Sequence, residues 1–134
     1  MRGLIVSIAA ILSLMIVTPA AACEPGRFYF NSGSARLDPR EQWVIDDIVS
    51  EFRGARRGAR LRLMAGADGV GPMAANLGLA RRRGEAAMAA LVRRGIPASA
   101  IDIIVQGAGS RRAADREART VWYEIIGARA GCQG

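Results

Sequence analysis

The chain has 134 residues, enough for one domain and too few for a multidomain protein. Hydrophobic residues make up 51% of it and aromatic residues only 5%, which predicts an aliphatic core and argues against disorder. All 19 basic residues are Arg, against 12 acidic residues, and there is no His. The lack of His removes the commonest general base and metal ligand, which argues against a zinc site and most hydrolase chemistry.

Residues 1–22 have the features of a secretory signal peptide. A positively charged start precedes an apolar run over residues 4–17, and small residues stand before a predicted cut at Cys23. Cleavage would leave a single domain over residues 23–134 that works outside the cytoplasm. An uncleaved anchor over residues 3–22 is the alternative, since that stretch carries no charge and could just span a bilayer.

Export determines what the positive charge of the chain implies. The net charge is +7, and in the cytosol such a charge would favour nucleic acid as the partner. Outside the cytoplasm the same charge faces the anionic lipids and polymers of the cell envelope. We therefore expect no nucleic-acid partner.

The two cysteines leave two interpretations open. A Cys directly after a signal peptide is how a bacterial lipoprotein begins, with an acyl chain on the thiol as a membrane anchor. Cys23 has that position, although Ala20 stands where the lipoprotein motif prefers Leu. A disulfide between Cys23 and Cys132 is the alternative, since an oxidising compartment favours it and the chain has no third cysteine.

Hydrophobic periodicity predicts four strands and two helices in the order β-α-β-α-β-β. The predicted strands lie at residues 27–30, 60–65, 101–106 and 121–126. The first helix starts at Asp38, with Glu41 completing a capping box, and ends at Gly54. The second helix runs from about Met73 to Gly95, and small residues on it indicate close packing on the sheet. This order predicts an α+β fold in two layers, with one sheet and both helices on one face.

Glycines, a carboxylate and guanidinium groups come together between Asp68 and Arg83. The glycines close to Asp68 would let a ligand approach the backbone and would leave amide groups free to bind an anion. An ordinary turn, in which Asp68 caps the following helix, is the alternative. No pair of carboxylates or nucleophile with a base is visible elsewhere, since Asp46 and Asp47 are adjacent and cannot face one another on a helix. The chain is therefore not predicted to be an enzyme.

A characteristic spacing follows Asp68, with Gly71, Asn76, Leu79 and Arg83 in order. It resembles the signature T-D-x-x-G-x-x-x-x-N-x-x-L-S-x-x-R-A of the OmpA-like peptidoglycan-binding domain. Flanking segments match further landmarks of that family, at residues 30–39, 94–97 and 106–109. The resemblance covers about residues 27–127, nearly the whole chain after the signal peptide.

The resemblance implies a non-catalytic domain of the periplasm or outer membrane that binds the diaminopimelate of the peptidoglycan stem peptide. Asp68 would pair with the ammonium group of that amino acid and Arg83 with its carboxylate, while Asn76 would help to shape the site. No cofactor or metal is implied. The partners would be peptidoglycan and, through the same compartment, other envelope proteins, with membrane contact only through an acyl anchor on Cys23.

The chain departs from the family pattern inside the signature and near the last strand. Ala67, Ala80 and Gly84 stand where the family has Thr, Ser and Ala. The family ends in N-R-R-V-E-I where residues 120–125 read T-V-W-Y-E-I, so two arginines beside the site are missing. The preceding loop offers four candidates to replace them: Arg111, Arg112, Arg116 and Arg119. These departures leave open a degenerate domain that keeps the fold and acts as a protein-interaction module in the envelope.

The resemblance also bears on the cysteines. In this family the last strand runs antiparallel beside the first, which would bring the start of the first strand close to the end of the last. The family topology thus favours the disulfide between Cys23 and Cys132.

Overall fold

The computed structural model describes residues 26–106 and 116–127. The predicted signal peptide, Cys23 and Cys132 lie outside the described residues, so cleavage, acylation and the disulfide stay predictions. Arg111 and Arg112, two of the four candidate replacements for the missing arginines, lie outside them as well.

Four strands form one mixed sheet, with the bounds β1 Arg27–Tyr29, β2 Arg60–Ala65, β3 Ile101–Val105 and β4 Thr120–Ile126. Their order across the sheet is β1-β4-β2-β3. β2 and β3 are parallel, whereas β4 runs antiparallel to both β1 and β2. The predicted two-layer α+β fold is confirmed, and so is the antiparallel pairing of the last strand with the first.

Helix α1 spans Gln42–Gly54 and follows a 3-10 turn at Pro39–Glu41. Asp38 caps this turn, because its Oδ1 accepts a hydrogen bond of 2.9 Å from the amide of Arg40. The predicted capping box is wrong, since Asp38 accepts from the amide of Arg40 and, among the described residues, no hydrogen bond joins the amide of Asp38 to the Glu41 carboxylate. Burial raises the pKa of the Glu41 carboxyl, and the amide of Tyr29 on β1 offsets part of that rise. The tighter 3-10 turn thus directs Glu41 toward the sheet.

Helix α2 spans Met73–Arg93 without interruption. Ala80, Gly84 and Ala87 are buried on its sheet side. A Cβ placed on Gly84 would lie only 2.6 Å from Cγ2 of Ile103 on β3, so the helix approaches the sheet more closely than a methyl group allows. The close packing predicted from the small residues is confirmed.

The core lies between the two helices and the sheet and consists mostly of aliphatic side chains, with Phe28, Phe30 and Tyr123 as its buried aromatic members. A smaller apolar cluster of Ala67, Leu79 and Ala80 lies at the end of β2 where α2 begins. Within residues 26–106 and 116–127, neither helix has the length and hydropathy that a bilayer crossing requires.

Candidate ligand-binding site

The loop that joins β2 to α2 carries the start of the predicted signature. Gly66 follows β2, and its amide donates to the carbonyl of Thr120 across 2.9 Å. A Cβ on Gly66 would meet the carbonyl oxygen of Ala118 at 2.8 Å, so the two chain segments pass in close contact here. Gly71 has a φ of +88°, a left-handed conformation that side chains rarely adopt and glycine tolerates. The loop therefore turns back tightly against the segment that leads into β4.

Asp68 lies on this loop and is only 3% exposed, although it carries a charge. Its Oδ2 accepts a hydrogen bond from Nη1 of Arg119 at 3.2 Å. The alternative role as a helix cap is wrong, because Pro72 holds the N-cap position of α2 and no side chain in the described part of the chain caps that end. Asp68 is thus a nearly buried carboxylate that is paired with a guanidinium from a distant part of the chain.

Arg83 is fully buried at the middle of α2. Its Nε donates to the carbonyl of Ser34 at 2.8 Å. Its Nη1 donates to the carbonyl of Gly66 at 3.0 Å, and its Nη2 donates to the carbonyl of Asn31 at 3.0 Å. Arg83 therefore ties the helix to the turn after β1 and to the end of β2.

The electrostatic surroundings of Arg83 connect it to the loop. Burial lowers the pKa of its guanidinium, the negative charge of Asp68 offsets part of this effect, and the positive charge of Arg119 adds to it. The guanidinium also lies 5.4 Å from the ring centre of Phe30, within the range of a cation–π contact. Asp68 and Arg83, the two charged residues of the signature, are thus close enough to interact electrostatically.

Asn76 is 5% exposed on the first turns of α2. Its Nδ2 donates to the carbonyl of Gly71 across a long 3.4 Å. This contact spans the beginning of the helix and the glycine turn before it. Asn76 therefore helps to hold the loop in shape by its hydrogen bond to the backbone carbonyl of Gly71.

Arg119 supplies the second guanidinium at this end of the sheet. Its side chain is 18% exposed, and its Nε is buried with no acceptor among the described residues. Arg116, another of the four candidates, instead stacks on the ring of Tyr29 at 4.6 Å. Of the candidates that the structure describes, Arg119 is the one that reaches Asp68.

The two residues that stand where the family has arginines do not contribute to this site. Val121 is fully buried in the core. Trp122 lies on the opposite face of the sheet, 37% exposed, with the guanidinium of Arg27 at 6.0 Å from its ring centre. The sequence did not show which of the four arginines lies beside Asp68. The strand register does, because Ala65 pairs with Val121 in antiparallel order. Residue 119 therefore lies opposite residue 67, next to Asp68.

The candidate site therefore combines one carboxylate with two guanidinium groups at the end of β2. Among the described residues no group of three His, Cys, Asp or Glu side chains is arranged to hold a metal ion. Opposite fixed charges in one place suit a ligand that carries both an ammonium and a carboxylate.

Comparison with known proteins identifies the class of this domain. The sequence model of the OmpA family matches residues 29–121. Because this match extends over more than half of the chain, the chain belongs to the OmpA family. A search of curated proteins gives no match.

Solved structures share the fold at low sequence identity. The peptidoglycan-associated lipoprotein from Burkholderia pseudomallei superposes with a TM-score of 0.62 at 16% identity, covering 75% of this chain and 87% of that one. The C-terminal domain of Helicobacter pylori MotB gives 0.66 at 16% identity and covers 79% and 88%. The OmpA-like domain of FopA1 from Francisella tularensis gives 0.61 at 14% identity and covers 77% and 71%.

Proposed function

We propose that this chain is an exported, non-catalytic domain that binds peptidoglycan through the diaminopimelate of the stem peptide and so anchors envelope components to the cell wall. Membership of the OmpA family supports this proposal, as does the similarity to a structure whose name is peptidoglycan-associated lipoprotein. The protein would then act in the periplasm or at the outer membrane.

The nearly buried carboxylate of Asp68 is the observation that carries the proposal. A buried carboxylate is costly unless it is paired, and among the described residues its side-chain partner is Arg119 at 3.2 Å. The side-chain end of diaminopimelate carries an ammonium, which Asp68 would bind, and a carboxylate, which a guanidinium fork would bind. A ligand ammonium could therefore replace Arg119 as the donor to Asp68, and the carboxylate would still be paired.

The two arginines would have different roles. Arginine has five N–H donors, and Arg83 uses three of its nitrogens on backbone carbonyls while it is fully buried. Arg119 is partly exposed and has a buried Nε without an acceptor among the described residues. The ligand carboxylate would therefore reach Arg119 first, while Arg83 holds the backbone of the site in place and adds positive potential.

Co-sedimentation of the purified chain with peptidoglycan sacculi that contain diaminopimelate tests the proposal. We expect Asp68→Asn to weaken binding by roughly thirtyfold or more, since the loss of one partner of a buried charge pair costs about 2–5 kcal/mol. Asp47→Asn is the matched control, because Asp47 is exposed on α1 and its replacement removes the same charge. Equal pelleting of wild type, Asp68→Asn and Asp47→Asn would overturn the assignment. Asp68→Asn is preferred to Arg83→Ala here, because Arg83 also maintains the fold.

A protein-interaction module is the second candidate function. Asp68 and Arg83 are both satisfied within the chain, which is the observation in its favour. Beside the loop, Val70, Met73 and Leu77 are 49%, 71% and 37% exposed and offer an apolar contact. Titration of the chain with soluble diaminopimelate, followed by NMR of the amides of Asp68 and Gly69, separates the two candidates. No amide shift with an intact fold would favour the interaction module.

A further inference from the structure

A cleft of about 520 Å³ lies at the end of the sheet opposite to Asp68. It is formed by the end of α1, the turn before β2 and the 3-10 turn Ala98–Ala100 before β3. Four arginines line it: Arg53, Arg56, Arg57 and Arg60. None of the described residues that line it is acidic. We call this site the basic cleft.

Two of its arginines have partners in the chain. Arg60 forms a two-pronged contact with Asp102, with Nε at 2.8 Å from Oδ2 and Nη2 at 2.5 Å from Oδ1. Nη2 of Arg53 donates to the carbonyl of Arg94 at 3.3 Å, at the C-terminal end of α2. Arg53 therefore compensates the partial negative charge of a helix end, which is a structural role.

The other two arginines have no such role. Arg56 and Arg57 are exposed, and neither guanidinium contacts an acceptor within the described part of the chain. Backbone bonds hold their turn, because the amide of Arg56 donates to the carbonyl of Gly127 at 3.2 Å and the amide of Ala59 donates to that of Arg56 at 3.0 Å. The turn therefore keeps its shape without side-chain contacts from Arg56 and Arg57. Their guanidinium groups lie beside the cleft, and their positive charge has no acidic partner among the described residues.

We propose that the basic cleft binds the phosphate group of an anionic ligand, with Arg56 and Arg57 as its principal contacts. Near neutral pH a phosphate carries one charge and two unesterified oxygens as a diester, and up to two charges and three such oxygens as a monoester. In either form more than one guanidinium can bind it. Ser99, which also lines the cleft, adds a hydroxyl donor. The phosphate could belong to a lipid headgroup or to a small soluble ligand, and the same two arginines would bind it.

The basic cleft is separate from the Asp68 site. β2 has six residues, and a rise of about 3.3 Å per residue places the two ends of this strand on the order of 20 Å apart. A domain with both sites could hold the cell wall at one end and an anionic partner at the other. The inference about the basic cleft does not depend on the proposed peptidoglycan function.

Two probes distinguish the sources of the phosphate. Vesicles of phosphatidylglycerol test a lipid surface by flotation, with vesicles of phosphatidylcholine, which is zwitterionic and has no net charge, as the comparison. Inorganic phosphate, with acetate as the comparison, tests a free ligand by NMR shifts at the amides of Gly58 and Ala59. The purified full chain is used in both, as wild type, as Arg56→Gln/Arg57→Gln and as Arg81→Gln/Arg82→Gln. The last pair removes the same charge from an exposed part of α2, and both double variants retain residues 1–22.

Each basic residue near an anionic surface contributes about a factor of five to binding. For a lipid source, we expect Arg56→Gln/Arg57→Gln to weaken vesicle binding roughly 25-fold, and the control pair to weaken it much less. For a free ligand, we expect phosphate but not acetate to shift Gly58 and Ala59, only while Arg56 and Arg57 are present. The proposal is overturned if neither probe binds, if acetate acts as phosphate does, or if both double variants lose binding equally.

Discussion

Arg119 donates a hydrogen bond to Asp68 across 3.2 Å, and the two side chains are 18% and 4% exposed. They are 51 residues apart in the sequence, and the antiparallel pairing of β4 with β2 brings them together. This pair gives the chain a guanidinium beside its loop although the two arginine positions of the family are occupied by Val121 and Trp122. The candidate site therefore has a positive charge next to Asp68 that comes from a different residue.

A double-mutant cycle with Asp68→Asn and Arg119→Gln measures this pair. Each single variant removes the charge of one partner and leaves the opposite charge, largely withdrawn from water, uncompensated. We therefore expect each to lower the free energy of unfolding by about 1–3 kcal/mol. The double variant should recover part of the loss, with a coupling of about 1–2 kcal/mol in urea unfolding. Additive effects would contradict the pairing.

Arg83 is expected to contribute to stability as well as to binding. Arg83→Met removes the donors to three carbonyls and takes a positive charge away from Asp68. We expect a loss of about 3 kcal/mol or more in urea unfolding, because the acceptors and the carboxylate stay buried. Arg82→Met is the control on the same helix, since Arg82 is exposed and should change stability by less than about 0.5 kcal/mol. Similar losses in both variants would rule out this role.

Gly84 stands where the family has Ala, and its replacement tests how closely α2 packs on the sheet. Gly84→Ala would place a Cβ 2.6 Å from Cγ2 of Ile103 and 3.2 Å from Cβ of Ala65. We expect a net loss of about 1–3 kcal/mol by overpacking. Gly78→Ala on the same helix meets only a guanidinium tip of Arg82 at 3.4 Å, and its higher helix propensity should add about 0.5–1 kcal/mol. Thermal unfolding of both variants checks this, and stabilisation by Gly84→Ala would disprove the close approach.

The buried phenol of Tyr123 is expected to make the stability of the protein depend on pH in the alkaline range. Burial raises the pKa of its phenol well above the ordinary value, and the neighbouring Glu51 carboxylate adds to the rise. The hydroxyl of Tyr123 donates to Oε2 of Glu51 at 3.1 Å. In the unfolded chain this phenol loses its proton near pH 10, while the folded chain retains it, so stability falls as pH rises above that value.

Urea unfolding of wild type and Tyr123→Phe measures the effect. Between about pH 9 and about pH 11, wild type should lose roughly 1.4 kcal/mol more than the variant, since one pKa unit corresponds to 1.36 kcal/mol. Other ionisable groups are common to both proteins and cancel in the difference. Parallel curves over this range would show that Tyr123 ionises equally in the folded and unfolded states.

Local sequence patterns predicted the elements of the fold because they depend on neighbours along the chain. Alternation in residues 60–65 predicted β2, and the small side chains of α2 predicted close packing on the sheet. The capping box at Glu41 failed because a tertiary contact, the amide of Tyr29, competes with the local one. The spacing from Asp68 to Arg83 also indicated the family, because one loop and the first half of one helix contain the whole signature.

The sequence by itself determined the order of the elements, the excess of arginine and the signature residues, since each is a property of short stretches of chain. Only the tertiary structure decided that Arg119 pairs with Asp68 and that Arg83 is buried with its donors on three carbonyls. It also decided that Arg56 and Arg57 lie beside a cleft with no side-chain partner among residues 26–106 and 116–127. The physical reason is that these contacts depend on the strand register and on where helices end against the sheet. Both are set by the packing of segments that lie far apart in the sequence.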